Sequence, residues 1–343
     1  VQILEEQRFP HSLGLFYSAL TQYIGFKVDS GEYKLMGLAP YGEPVYVDLI
    51  KKHLIDIFDD GSIRLDVSYF DFLVGSKMTN EKFHRLFEER PRTSQEPVTQ
   101  KHMNIARSAQ VIAEEAMAKM VVYTTQKTGL RKLCMAGGVA LNCVANGKIL
   151  KNKLVDQLWV QPAAGDAGNA LGAAMLAAYK LYGLQRVRND MSDTQKSSLL
   201  GPGFSNGEIK EILDGLGFKF EELSSGSRED RIAQVISEGH VVGLFQGRME
   251  FGPRALGNRS IIGDPRNSEM QSKMNLKIKF RESFRPFAPI VKEDRAAEWF
   301  DMDKQHPFNY MLLTTTVRDG KRYPGSTNGK MGLERLMEKR SDI

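Results

Sequence analysis

The stretch GRMEFGPRALGNRS, residues 247–260, places Arg248, Arg254 and Arg259 on a backbone with three glycines and one proline. Glu250 is its one acid. Guanidinium groups repel one another, and their planar forks match the paired oxygens of phosphate and carboxylate. An arginine cluster on a glycine-rich turn therefore reads first as an anion site, with a solvated basic loop as the plain alternative. Glu250 is expected to orient one of the arginines or to help place Mg²⁺.

Downstream, KIKFRESFRPFAP adds Lys277, Lys279, Arg281 and Arg285, interleaved with Phe280, Phe284 and Phe287. On a strand, Lys277, Lys279 and Arg281 would share one face and the phenylalanines would turn inward. That surface suits a small phosphate-bearing ligand in an aromatic-walled pocket. It also suits a single-stranded nucleic acid stacking its bases on the rings, or an edge guarded against aggregation. Pro253, Pro286 and Pro289 make the segment rigid, which ranks the small-anion pocket first and argues against a nucleic-acid partner.

Two other stretches offer backbone rather than charge. In Met135-Ala-Gly-Gly-Val-Ala-Leu-Asn142, a short apolar run ends in Gly137 and Gly138 and leads into a helix. Exposed N–H groups and a positive helix end favour phosphate there, and the missing Cβ atoms let a nucleotide lie close. In GDAGNALGAA, residues 165–174, Asp166 sits between glycines before a second helix, placed to ligate a divalent metal or to cap that helix. The two units resemble halves of one nucleotide cleft, with Gly137, Gly138, Val139, Asn142, Gly165 and Asn169 at its floor. Asn142 and Asn169 could bond ribose or cap helices. Lys34 is a weaker phosphate candidate or a solvated loop lysine, and His11 reads as a polar contact at a helix start.

The elements that must hold these residues can be read from the rest of the chain. With 343 residues, two domains are expected. Lys and Arg number 47 against 42 acids, a net charge of +5. Residues 247–295 alone hold eleven Lys/Arg and six acids, so the surplus is local. A local basic zone favours a bound phosphate over a wrapped nucleic acid. No run of about 18 apolar residues predicts a membrane span. Cys134 and Cys143 read as buried thiols in a reducing cytoplasm. The six histidines show no metal-binding spacing.

A helix is predicted from Leu13 to Ile24, with EYKLMGLAPYG after it as an irregular loop. IRLDVSYFDFLV reads as one strand or two. Ile105, Ala109, Ile112, Ala116 and Met120 make one apolar face of a helix over 103–128, with Gly129 as its C′ residue. Strands at 133–136 and 158–162 each lead through a glycine turn to a helix. Residues 185–200 read as a linker. Beyond it, a helix and a strand are expected in SNGEIKEILDGLGFKFEELS. EDRIAQVISEGHVVGLFQGR predicts another helix and a buried strand at 241–246, and FNYMLLTTTV a further strand. The alternation argues α/β architecture in both halves.

The segments HSLGLFYSALTQYIGF, GEYKLMGLAPYG, AGGVALNCVANGK, GDAGNALGAA, GRMEFGPRALGNRSIIGDPR and IKFRESFRPFAPIV resemble, in order, the NodU/CmcH-type O-carbamoyltransferases over about residues 10–300. The resemblance implies part of an actin-like (ASKHA-type) ATPase domain at 1–184 and a YrdC-like α/β domain with a mixed twisted sheet at 201–343. It implies ATP and a divalent metal (Fe, Mn, Mg or Zn) at Asp166. Carbamoyl phosphate and ATP would give carbamoyl-adenylate, held by the AGGVALN turn. The carbamoyl group would then pass to the hydroxyl of a small molecule or oligosaccharide in the cytoplasm. Arg248, Arg254, Arg259, Lys279, Arg281 and Arg285 would hold the phosphates. A tRNA-binding module of the threonylcarbamoyl type is the alternative implied by the same likeness. The family's upstream HxxxH motif and its NTSFN-like C-terminal motif are absent, so the chain is expected to be an internal portion that cannot complete carbamoyl transfer.

Overall fold

The computed structural model describes residues 2–186, 195–224, 226–302, 309–323, 330–338 and 340–341. Helix α5, Gln100–Thr128, is the axis of the N-terminal half. Its apolar face, with Ile105, Ala109, Ile112 and Ala116 fully buried, meets α1 (Leu13–Tyr23), α2 (Glu32–Leu38) and α3 (Val47–His53). Thr99 and His102 close a capping box at its start, and Gly129, at φ 68°, ends it in the left-handed region. A ring cluster of Tyr23, Phe83 and Phe87 ties α4 (Glu81–Leu86) to α1. Strands β1 (Ile55–Ile57) and β2 (Ile63–Leu65) form an antiparallel hairpin.

Beyond α5, β3 (Lys132–Met135) pairs in parallel with β4 (Gln157–Val160) through the crossover helix α6 (Cys143–Lys151). Helix α7, Ala167–Lys180, follows β4. The C-terminal half carries α8 (Asn206–Gly215), α9 (Ser227–Ser237) and an antiparallel pair, β5 (Val242–Phe245) with β6 (Arg259–Ile262). Each described sheet has two strands. No helix among the described residues is long and apolar enough to cross a membrane.

Several expectations change. EYKLMGLAPYG is not an irregular loop: it forms α2 and a 3-10 turn, Ala39–Tyr41. The Glu32 carboxylate accepts from the Ser18 hydroxyl and from the N–H groups of Asp29 and Gly31, which fixes the helix start. Pro40 falls in the first turn of the 3-10 segment, where its missing N–H costs nothing. In IRLDVSYFDFLV only Ile63–Leu65 is a strand, because Asp66 caps a 3-10 turn at Val67–Tyr69.

No strand forms at 218–224 among the described residues, where Phe218 and Phe220 are exposed. Strand β5 is half exposed rather than buried, with Phe245 open to solvent on one face. Of FNYMLLTTTV, Phe308 lies outside the described residues, and the rest makes one bridge, Phe300 with Val317. The cations of KIKFR are not on a strand. Met274–Ile278 is a π-helical turn, and Phe280 is 85% exposed while Phe284 is 2% exposed. Cys134 is exposed because β3 has one open face, and Cys143, the first residue of α6, is half-buried. The expected linker centres on 187–194, outside the described residues.

Candidate functional site: two facing turns and a cation cleft

The two βα turns adjoin. Gly137 donates its N–H to Ala164 O at 2.8 Å, and Gln161 donates to Met135 O at 3.3 Å. Gly137, at φ 100°, needs a residue without a Cβ, and a Cβ on Gly137 or Gly138 would stand in open space. The turn backbone is therefore open to a ligand. Helix α1 approaches it closely, since a Cβ on Gly14 would lie 3.5 Å from Val139 Cγ2.

Asn142 caps α6, accepting from Ala145 N–H. Its side-chain amide also exchanges hydrogen bonds with Gln110, at 3.0 and 3.1 Å, and Tyr17 donates to Gln110 at 2.8 Å. The cap role of Asn142 is realised, and its amide is engaged in this buried network. Asp166 stands at the N-cap of α7 but makes no side-chain cap bond. Gly165 lies beside it, and Asn169 is exposed on the first turn of α7. No cluster of three candidate metal ligands occurs among the described residues. Asp166 by itself does not constitute a metal site, and no step is built on a metal here.

The loop 250–258 packs against these turns. Leu256 joins a small core with Ala140, Val160, Ala164, Tyr310 and Leu312. Glu250 is buried and accepts the N–H groups of Leu256, Asn258 and Arg259 at 2.9, 2.7 and 3.2 Å. It therefore shapes the loop through its backbone rather than by pairing with a guanidinium. Burial would raise its carboxyl, but the three N–H bonds prevail and hold it below the usual range.

The arginines take different roles. Arg248 donates to Gly201 O and Leu200 O. Arg259 donates to three backbone carbonyls of the hairpin and lies 3.6 Å over the Phe245 ring. Arg254 crosses to the first turn and donates to Leu141 O at 3.2 Å. Its Nε–H is buried without an acceptor. Burial raises the Cys143 thiol pKa, partly offset by Arg254 beside it.

Lys279, Arg281 and Arg285 line a second place, an open cleft of about 410 Å³ with Tyr33, Lys34, Phe280 and Glu282. Burial and the charges of Arg281 and Arg285 lower the Lys279 pKa; burial and Arg285 lower that of Arg281. A cleft whose cations suppress one another gains from an anion that relieves the repulsion. Arg285 lies 4.2 Å over the Tyr33 ring. Lys34 is no solvated loop lysine: it sits on α2 and pairs with Glu282 at 2.7 Å. Lys277 is exposed on the π-helical turn.

Asn275, fully buried, holds the cleft wall together. It accepts from Arg281 Nε at 2.6 Å and donates to Ser283 O and Arg285 O. Sequence reading missed Asn275, Tyr33 and Glu282. A buried asparagine has no pattern of its own, and the acid within a basic run was the one available signal.

Residues 2–175 match the carbamoyltransferase N-terminus family and residues 233–328 the carbamoyltransferase C-terminus family. An uncharacterized protein of Synechocystis is 49% identical over 98% of this chain and 55% of its own length. Nodulation protein NolO of Bradyrhizobium diazoefficiens is 36% identical over 91% of this chain and 54% of its own length. Nodulation protein NolNO of Sinorhizobium fredii is 36% identical over 92% of this chain and 44% of its own length. The chain spans about half the length of these relatives. It belongs to the carbamoyltransferase family, whose N-terminal and C-terminal regions it carries in that order.

Proposed function

We propose that the protein is part of an ATP-dependent O-carbamoyltransferase whose carbamoyl donor, carbamoyl phosphate, binds the Lys279–Arg281–Arg285 cleft. The observation that carries this reading is three cations in one open cleft besides the paired Lys34, two of them lowered in pKa by burial and by neighbouring arginines. Three cations without a matching count of acids suit a dianionic phosphate. Arg281 stays protonated in spite of its shift, and with Arg285 it offers two guanidinium forks. They can neutralise charge as the phosphate–carbamoyl bond breaks.

The open Gly137–Gly138 turn suits a nucleotide phosphate, and Arg254 is bonded to Leu141 O just beyond that turn. The donor would lose its phosphate to give carbamate, whose oxygen would bond to the α-phosphorus of ATP as pyrophosphate leaves, giving carbamoyl-adenylate. An acceptor hydroxyl oxygen would then bond to the carbamoyl carbon as AMP leaves. The acceptor's class, a small molecule or an oligosaccharide, belongs to the same reading. Asp166 is the residue through which a divalent metal would engage this half, with further ligands from elsewhere.

The test is titration calorimetry with carbamoyl phosphate on the wild-type protein and on Arg285→Ala. Loss of one charge-assisted contact should weaken binding about tenfold or more. Equal affinity in both proteins would move the donor site away from the cleft. A steep salt dependence for RNA with no carbamoyl phosphate binding would favour a nucleic-acid module instead.

A further inference from the structure

The cleft that carries the cations belongs to the C-terminal half, but its wall is held by the N-terminal half. Phe284 lies between Arg281 and Arg285 in sequence, is 2% exposed, and belongs to the main core built on α1, α2 and α5. Its ring stands 6.1 Å from that of Phe26. On one side of it, Glu282 pairs with Lys34 of α2 at 2.7 Å. On the other, Arg285 stacks over Tyr33 of the same helix. Pro286 packs close to Gly37, where an added Cβ would lie 3.4 Å from its ring. Burial would raise the Glu282 carboxyl, yet the Lys34 bond, with Arg285 nearby, holds it ionised and low.

We infer that residues 282–286 are a clasp through which the α1–α2 core sets the geometry of the cation cleft. Phe284 is its anchor and the Lys34–Glu282 pair its latch. Phe284 and Glu282 are positioning residues that act through Arg281 and Arg285 and not through the anion itself. Lys34 also lines the cleft and carries a charge of its own there, so Glu282→Gln and the double variant decide the role. An oxyanion bound in the cleft must in turn tighten α2, because coupling between two sites is reciprocal. The inference rests on the reading that the cleft binds the phosphate of carbamoyl phosphate.

The sign of one substitution separates this role from plain electrostatics. Glu282→Gln removes a carboxylate from beside three cations. Charge alone would make anion binding tighter; loss of the latch makes it weaker. Titration calorimetry with carbamoyl phosphate, and in parallel with inorganic phosphate, should show Glu282→Gln and Lys34→Met each weaker by about fivefold. The double variant should be no weaker than the weaker single one. Phe284→Ala should weaken binding about tenfold and Phe284→Leu should restore most of it. Hydrogen exchange at 32–38 should slow when carbamoyl phosphate binds to the wild-type protein.

Unchanged or tighter binding by Glu282→Gln would overturn the clasp, as would fully additive losses or exchange at 32–38 that ignores the ligand. If Phe284→Ala fails to fold, the Lys34 and Glu282 cycle decides alone. If the protein binds inorganic phosphate but not carbamoyl phosphate, the donor assignment falls while the clasp is still scored with phosphate. Binding of neither removes both.

Discussion

Helix α5 and the helices α8 and α9 are all amphipathic, and the C-terminal pair more strongly so. Yet α5 buries twelve residues and α8 and α9 bury none. Ile212, Leu216 and Phe218 are exposed in the C-terminal half, as are Phe245 and Phe204. The N-terminal half has a core of its own; among the described residues of the C-terminal half, α8, α9 and one face of β5 leave apolar side chains uncovered. The residues of chemical interest in the C-terminal half are nonetheless fixed. Loop 250–258 sits on the βα turns, and 282–286 sits in the α1–α2 core. The order of the site is thus supplied largely by the half that carries fewer of its charges.

The largest expected effect tests whether the N-terminal core is the foundation. Phe16, fully buried on α1, packs among the residues that α5 covers. Phe16→Ala should lower the unfolding free energy by about 3–5 kcal/mol, the usual cost of emptying an aromatic site. Thermal unfolding followed by circular dichroism measures it. Carbamoyl phosphate binding should be lost with the same transition, although the cations lie some 265 residues downstream. A cleft that still bound after the N-terminal core had melted would break the comparison.

Next is Glu250, which ties loop 250–258 with three N–H bonds. Glu250→Gln keeps the shape but loses the charge on those bonds, at about 1.5–3 kcal/mol. The folded carboxyl titrates below its unfolded value of 4.5, so the unfolded chain binds more protons in between. Its contribution is present above that unfolded value and is lost as pH falls through the folded one. Comparing wild-type and variant stability from pH 7 down to pH 3 should show the gap narrowing at the acid end. A gap that stays constant would mean that the charge is irrelevant to the loop.

These two cases also show how much was legible in the chain. The α5 periodicity, its Gly129 terminus and both strand–glycine–helix units were readable, because each rests on local pattern and local caps. That Arg254, Lys279, Arg281 and Arg285 form a basic zone was readable, since charge is visible in any fold; that three of them line one cleft was not. Partners were not. Arg248 and Arg259 look like their neighbours in sequence, but their guanidiniums go to backbone carbonyls. Phe280 and Phe284 share a type and a spacing, yet one is outside and one is inside. Alternation predicts a strand only when a neighbouring strand accepts its hydrogen bonds, and 277–281 has none among the described residues.

A smaller effect comes from His102, buried at the first turn of α5. Its Nδ1 accepts from Thr99 N–H at 3.0 Å, so the ring must be unprotonated there. Burial lowers its pKa first; Arg92 and Lys101 push the same way and Glu89 and Glu96 oppose them. A base whose folded value is depressed leaves the unfolded chain holding more protons. Stability is therefore full above the unfolded value of 6.5 and falls as pH drops below it. The capping bond is worth about 1 kcal/mol. His102→Asn, which keeps a side-chain acceptor, should flatten the loss between pH 7 and pH 5.5. A loss of the same size in the variant would place the pH sensitivity elsewhere.

The smallest expected effect is the sharpest check on the contrast between the halves. Leu216, the residue after α8, is 66% exposed and apolar. Replacing it by serine removes apolar surface that the described residues leave in water. On this geometry Leu216→Ser should change the unfolding free energy by no more than about 0.5 kcal/mol and leave carbamoyl phosphate binding intact. The same change inside the α5 face would cost several times as much, because there the side chain has neighbours to lose. Chemical denaturation measures the difference directly. A loss of about 2 kcal/mol or more at Leu216 would show that its face is covered in the folded protein. The amphipathic patterns of α8 and α9 would then describe a buried face after all, and the uncovered half would have a core built with something further.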